Sequence, residues 1–181
     1  GYLWRYSPDH KIRGGQAPAT ATQIWVQPPG TPSLGRTFLR AYAITRDPFW
    51  LEAARDAADS LARGQLESGG WDYVIEFDPA KRLAWRYRLD GDATSPPRSP
   101  DSNPATAPAP SANASRPASR KNNSTYDDNN TQSALRFLLA FVDAARSAPD
   151  PRDARIQEAL DYGLTKLIEA QYPNGVWAQR R

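Results

Sequence analysis

Apolar positions along the chain alternate between two spacings, and each spacing predicts an element. Leu34, Phe38, Ala41 and Tyr42 share one face of a helix expected to start at Thr31, with Pro32 in its first turn. A second helix opens at Asp47-Pro48, carries Trp50, Ala54, Ala57, Ala58 and Leu61, and ends near Gly64. Leu135, Leu138, Leu139 and Val142 predict a third, from about Asn129 to Arg146. Ile156, Leu160, Leu164, Leu167 and Ile168 predict a fourth after Asp150-Pro151. A period of two governs the stretch between. Trp71, Tyr73, Ile75 and Phe77 alternate with Asp72, Val74 and Glu76; Asp78-Pro79-Ala80-Lys81 reads as a turn; Trp85, Tyr87 and Leu89 alternate with Arg86 and Arg88. That pattern predicts a small aromatic β-hairpin. Tyr2, Trp4 and Tyr6 alternate in the same way, and residues 24–30 read as an extended segment closed by prolines.

One construction occurs twice. Asp47-Pro48 leads through an amphipathic stretch to Gln65-Leu66-Glu67-Ser68-Gly69-Gly70-Trp71, and Asp150-Pro151 leads to Gln171-Tyr172-Pro173-Asn174-Gly175-Val176-Trp177. A repeated helix pair ending in Gln-x-x-x-Gly-x-Trp marks stacked helical hairpins, which bury their faces only against neighbours. The fold class expected is mainly α.

Composition divides the 181 residues into three parts. Residues 91–123 are mostly Pro, Ser, Ala, Asn and Arg, too poor in apolar side chains to offset chain ordering, and are expected to be a disordered insert. Residues 1–90 and 124–181 are the folded pieces, expected to pair. The net charge of +3 is small and the arginines are scattered, so the basic stripe of a nucleic-acid binder is lacking. With no Cys, disulfides and thiolate zinc sites are excluded. No signal peptide or membrane-spanning run is visible, and the start at Gly1 suggests a fragment of a longer protein.

Candidate chemistry gathers at few places. Trp71 and Trp177 either fold back over the helix ends or stack on a sugar ring, the first being commoner for large aromatics. Ser124-Thr125-Tyr126-Asp127-Asp128-Asn129-Asn130-Thr131-Gln132 concentrates oxygen-bearing side chains at a helix start. Asp127 and Asp128 are candidate ligands of a hard cation such as calcium, beside the simpler role of capping the helix. His10, the single histidine, lacks the partners of a catalytic site. Arg82, Arg86 and Arg88 either pair with carboxylates or form an ordinary solvated face, the latter being expected.

The final third of the chain resembles the pectic acid lyases of polysaccharide lyase family ten. That family's Asp-Asn-Gly-Ala-Thr-Tyr-Thr-Gln-Leu-Arg-Phe-Leu aligns without gaps on Asp127 through Leu138, with Asp127, Thr131, Leu135, Arg136, Phe137 and Leu138 kept. Its Glu-Ala-Gln-Tyr-Pro-Asn-Gly-Gly-Trp-Pro-Gln aligns from Glu169, with Val176 and Ala178 as the two departures. The resemblance implies an incomplete α/α toroid and cleavage of an acidic polysaccharide, polygalacturonate, by calcium-assisted β-elimination. It also implies an extracellular or periplasmic location. Of the site residues, the resemblance carries over Asp127 alone, as a calcium or substrate contact; beside it the residues themselves make Asp128 a second candidate calcium ligand, and Asn129, Thr131, Trp177 and Trp71 candidate substrate contacts. The catalytic base of that family is an Arg whose motif has no counterpart here. Two alternatives stay open: a terpene-cyclase-like toroid, which needs an apolar aromatic cavity, and a non-catalytic carbohydrate-binding protein of the same fold. Oligomeric state is left open.

Overall fold

The structure is a computed structural model describing residues 1–90 and 120–181. Most of the predicted disordered insert therefore lies outside the described residues. Four long helices dominate: α1 (Thr31–Thr45), α2 (Pro48–Arg63), α4 (Asn130–Ala145) and α5 (Asp153–Glu169), with α3 (Pro79–Arg82) a single turn. Four short strands, β1 (Arg5–Tyr6), β2 (Arg13–Gly14), β3 (Gln23–Trp25) and β4 (Val74–Glu76), make two antiparallel pairs, β1 with β2 and β3 with β4. The protein is mainly α.

The helices pack as two hairpins, α1 on α2 and α4 on α5, joined by α1 against α4 and by α2 against both α4 and α5. The core between them holds Leu51, Leu61, Trp71, Ile75, Phe137, Phe141 and Ile156, all fully buried. Predicted helix starts agree closely. Asp47 caps α2, its carboxylate accepting from Phe49 N at 2.9 Å. Asp150 does otherwise: it opens a turn, and α5 begins three residues later, with Asp153 Oδ2 accepting from Asp150 N.

The loops that end α2 and α5 are built alike. Gln65 Nε2 donates to Gly69 O at 2.9 Å, and Gln171 Nε2 donates to Gly175 O at 2.8 Å. Trp71 Nε1 donates to Leu61 O at 2.9 Å, and Trp177 Nε1 to Leu167 O at 2.8 Å. Gly69 and Gly175 have φ of 92° and 86°, where a side chain would be strained.

Four expectations need correction. No β-hairpin spans residues 71–89: β4 pairs with β3, Leu66 bridges Tyr87, and Trp85 bridges Lys121. The cause is Asp78, whose Oδ1 accepts from Ala80 N and Lys81 N and so nucleates α3 where a tight strand turn was expected. Arg82, Arg86 and Arg88 are not a solvated face either. They pair with Asp90, Glu67 and Glu158, and the Arg82 and Arg88 side chains are largely covered. Leu139, Leu164 and Ile168 point outward, while Phe137 and Phe141 take the inward places in α4. Residues 120–123, assigned to the insert by composition, run beside the first piece: Arg86 N donates to Lys121 O and Lys121 N to Ala84 O.

Candidate functional site

The chain ahead of α4 makes an acidic turn. Asp127–Asn129 form one 3-10 turn, and both Asp128 (φ 51°) and Asn129 (φ 59°) are left-handed. Two consecutive non-glycine residues in this region store strain, which Asp and Asn tolerate better than most. The turn is held from outside. Gln27 Nε2 donates to Asp128 Oδ2 at 2.8 Å, and the Tyr73 hydroxyl donates to the same oxygen at 3.1 Å. Asp127 Oδ1 accepts from Asp128 N. Three separate elements, the segment after β3, the segment before β4 and the entry to α4, therefore converge on one carboxylate.

The C-terminal segment closes the other side. Ser124 and Arg181 exchange backbone hydrogen bonds, Tyr126 N donates to Gln179 O at 2.8 Å, and Thr125 bridges Arg180. This ladder lays the Trp177 loop beside the acidic turn. The result is an open hollow of about 420 Å³ lined by Asp127, Asp128, Gln132, Val176, Trp177 and Gln179. Trp177 is 42% exposed, so its indole keeps a face toward solvent.

Local electrostatics favour a protonated phenol beside Asp128. Burial pushes the Tyr73 hydroxyl above its ordinary range; the Asp128 and Asp127 charges add to this, and Arg180 opposes it. The Arg180 guanidinium lies 5.4 Å from the Tyr73 ring centre. Tyr73 is thus a hydrogen-bond donor at neutral pH. Among the described residues, two buried acceptors stand without partners, Asn130 Oδ1 and Gln132 Oε1. Such orphaned oxygens cost stability unless a cation or donor reaches them.

The sequence-predicted residues divide. Asp127, Asp128 and Trp177 come together in the hollow. Trp71 does not: it is fully buried and offers no face to a sugar, since its loop is covered by the core. Thr131 is 1% exposed and its Oγ1 accepts from Trp71 N, which makes it a brace inside the fold. Asn129 is exposed but lines a different cavity, between α1 and α4. Gln27, Tyr73 and Arg180 were not singled out from sequence. Gln27 and Asp128 are separated by 101 positions, and nothing local couples them; the one hint is a glutamine set in the otherwise apolar, proline-closed segment 24–30.

Among the described residues, no three His, Cys, Asp or Glu side chains cluster in a way that would hold a metal unaided. Also among them, no helix is long and apolar enough to cross a membrane. Comparison with known proteins gives no matching family model, no matching curated protein and no matching solved structure.

Proposed function

We propose that the chain is a pectate-lyase-like protein acting on or binding acidic polysaccharide, with its two hairpins forming part of an α/α toroid. The observation that carries this is the meeting of Asp127, Asp128 and Trp177 in one polar hollow. Sugar recognition calls for an aromatic face beside convergent polar groups, which is what the hollow supplies. The resemblance in the final third of the chain supports polygalacturonate as the substrate class. The exposed Leu164 and Ile168 give α5 an apolar outer edge on which a further hairpin of a toroid would pack.

Calcium fits the oxygens present when shared with substrate. Hydrogen bonds engage one oxygen each of Asp127 and Asp128, leaving the second oxygen of each for a cation, and Gln132 Oε1 adds one uncharged oxygen. The remaining oxygens would come from uronate carboxylate and water. Bound calcium would supply Lewis-acid withdrawal from that carboxylate, acidifying the proton on C5. Trp177 would orient the ring by stacking. Gln27 and the protonated Tyr73 hydroxyl would hold Asp128 in place, both donating to its Oδ2.

A non-catalytic carbohydrate-binding protein is the second reading, favoured by the lining of the hollow, where no Arg, Lys or His stands among the described residues to take a proton. The polar walls speak against a terpene cyclase. Incubation with polygalacturonate separates the first two readings. Lyase action yields an ultraviolet-absorbing unsaturated uronate that requires calcium and falls about tenfold or more in Asp127→Asn. Saturable binding without that product would establish the binding protein instead.

A further inference from the structure

A second cavity, of about 320 Å³, opens where α1 packs on α4, and its chemistry is the opposite of the first. Arg36 and Arg40 line it from α1, and Arg136 from α4, with Ser33 and Asn129 between them. Helical spacing explains the grouping: 33, 36 and 40 share one face of α1, 133 and 136 lie one turn apart on α4, and Asn129 stands just ahead of that helix. Among the described residues, no carboxylate lines the cavity.

The arginines elsewhere in the fold show what is unusual here. Arg55, Arg82, Arg88, Arg152 and Arg155 each meet a carboxylate at 3.0 Å or less. Among the described residues no ion pair reaches Arg36, Arg40 or Arg136. Arg36 and Arg40 stand one helical turn apart, where like charges repel. Arg136 donates to Asn129 Oδ1, which braces its guanidinium and leaves the Asn129 amide nitrogen as a further donor. Three guanidiniums around a pocket, with donors in excess and, among the described residues, no carboxylate between them, match the needs of an oxyanion.

We infer that the cavity between α1 and α4 is an oxyanion-binding site that takes a phosphoryl, sulfuryl or carboxyl group on Arg36, Arg40 and Arg136. It needs no metal and stands independently of the lyase reading. The group is carried either by a free anion or by the same acidic polysaccharide, since Asn129 lines this cavity next to the Asp127–Asp128 turn.

The test is calorimetric titration of the chain with inorganic phosphate and, separately, with oligogalacturonate, both at constant ionic strength and without calcium. One ligand should saturate at a single site. Arg36→Gln and Arg40→Gln, both exposed and outside the core, should each weaken it about tenfold, the scale of a lost charge-assisted pair. Arg146→Gln, an exposed arginine away from the cavity, should leave it unchanged. Phosphate binding assigns the site to a free or ester anion, and binding of oligogalacturonate alone assigns it to the polymer carboxylate. Absence of saturable binding by both ligands overturns the inference. So does equal weakening by Arg146→Gln, because the effect would then be net charge. Asp127→Asn should not alter phosphate binding, so failure of the lyase reading and failure of this one are told apart.

Discussion

Gln65 and Gln171 donate to the glycine carbonyl four residues on in matching loops, but their surroundings differ. Gln65 is fully buried, donates also to Ala159 O and accepts from Arg88 Nε, whereas Gln171 is exposed. Gln65→Leu therefore leaves two buried carbonyls and a guanidinium short of partners and should cost about 2–4 kcal/mol, while Gln171→Leu should cost under about 1 kcal/mol. Urea unfolding of the two variants measures the contrast. The Gln-x-x-x-Gly-x-Trp spacing was enough to expect the loop, because glycine, glutamine and tryptophan each have a local task there. Which copy is buried depends on what lies over it. Trp71 sits under the core, and Trp177 lies at the rim beside the acidic turn. Sequence could not tell these apart.

At the scale of elements, helical periodicity located α1, α2, α4 and α5 to within a few residues, because their apolar faces are continuous. The stretch 71–89 departs from its period-two pattern for a reason that periodicity does not carry. Asp78-Pro79 fits a strand turn and a helix cap equally well, and Arg82, bonded to Glu76 O and Arg63 O, ties the chain down in the second form. The hairpins are joined through polar anchors as well as core. Arg55, with its side chain 6% exposed, donates to Glu52, Asp153 and Ala148 O and so ties α2 to the start of α5. Arg55→Ala should destabilise by about 3–5 kcal/mol, since it leaves Asp153 partly buried and unpaired. Close approach of α1 and α4 rests on Gly35, where a Cβ would run into the Phe137 ring. Gly35→Val should cost about 1–3 kcal/mol by overpacking, read as a lower thermal midpoint.

For the whole molecule, pH dependence follows from carboxylates held below their ordinary range. Burial would raise the Glu76 carboxyl, but hydrogen bonds from Thr22, the Asp78 and Phe77 backbone and Gln23 outweigh it and hold it below 4.5. Glu52 is lowered by Arg152 and Arg55, and Asp150 by Arg152. A carboxylate lowered in the folded state contributes its stability above the unfolded value and loses it as pH falls through the folded one. The urea midpoint should thus be level near neutrality and fall below about pH 4.5, and Glu76→Gln should flatten part of that fall.

The candidate site was half legible. Asp127, Asp128 and Trp177 carry local signals, whereas Gln27, Tyr73 and Arg180 reach the site only through tertiary folding. Calorimetric titration with oligogalacturonate, with and without calcium, tests most directly whether these residues form one acidic-sugar site. Saturable binding should appear with calcium, weaken about tenfold or more in Asp127→Asn and again in Trp177→Ala, and leave Trp71→Phe affected in stability alone. Binding of equal strength in Asp127→Asn and Trp177→Ala, or no binding at all to the folded chain in calcium, would contradict the account.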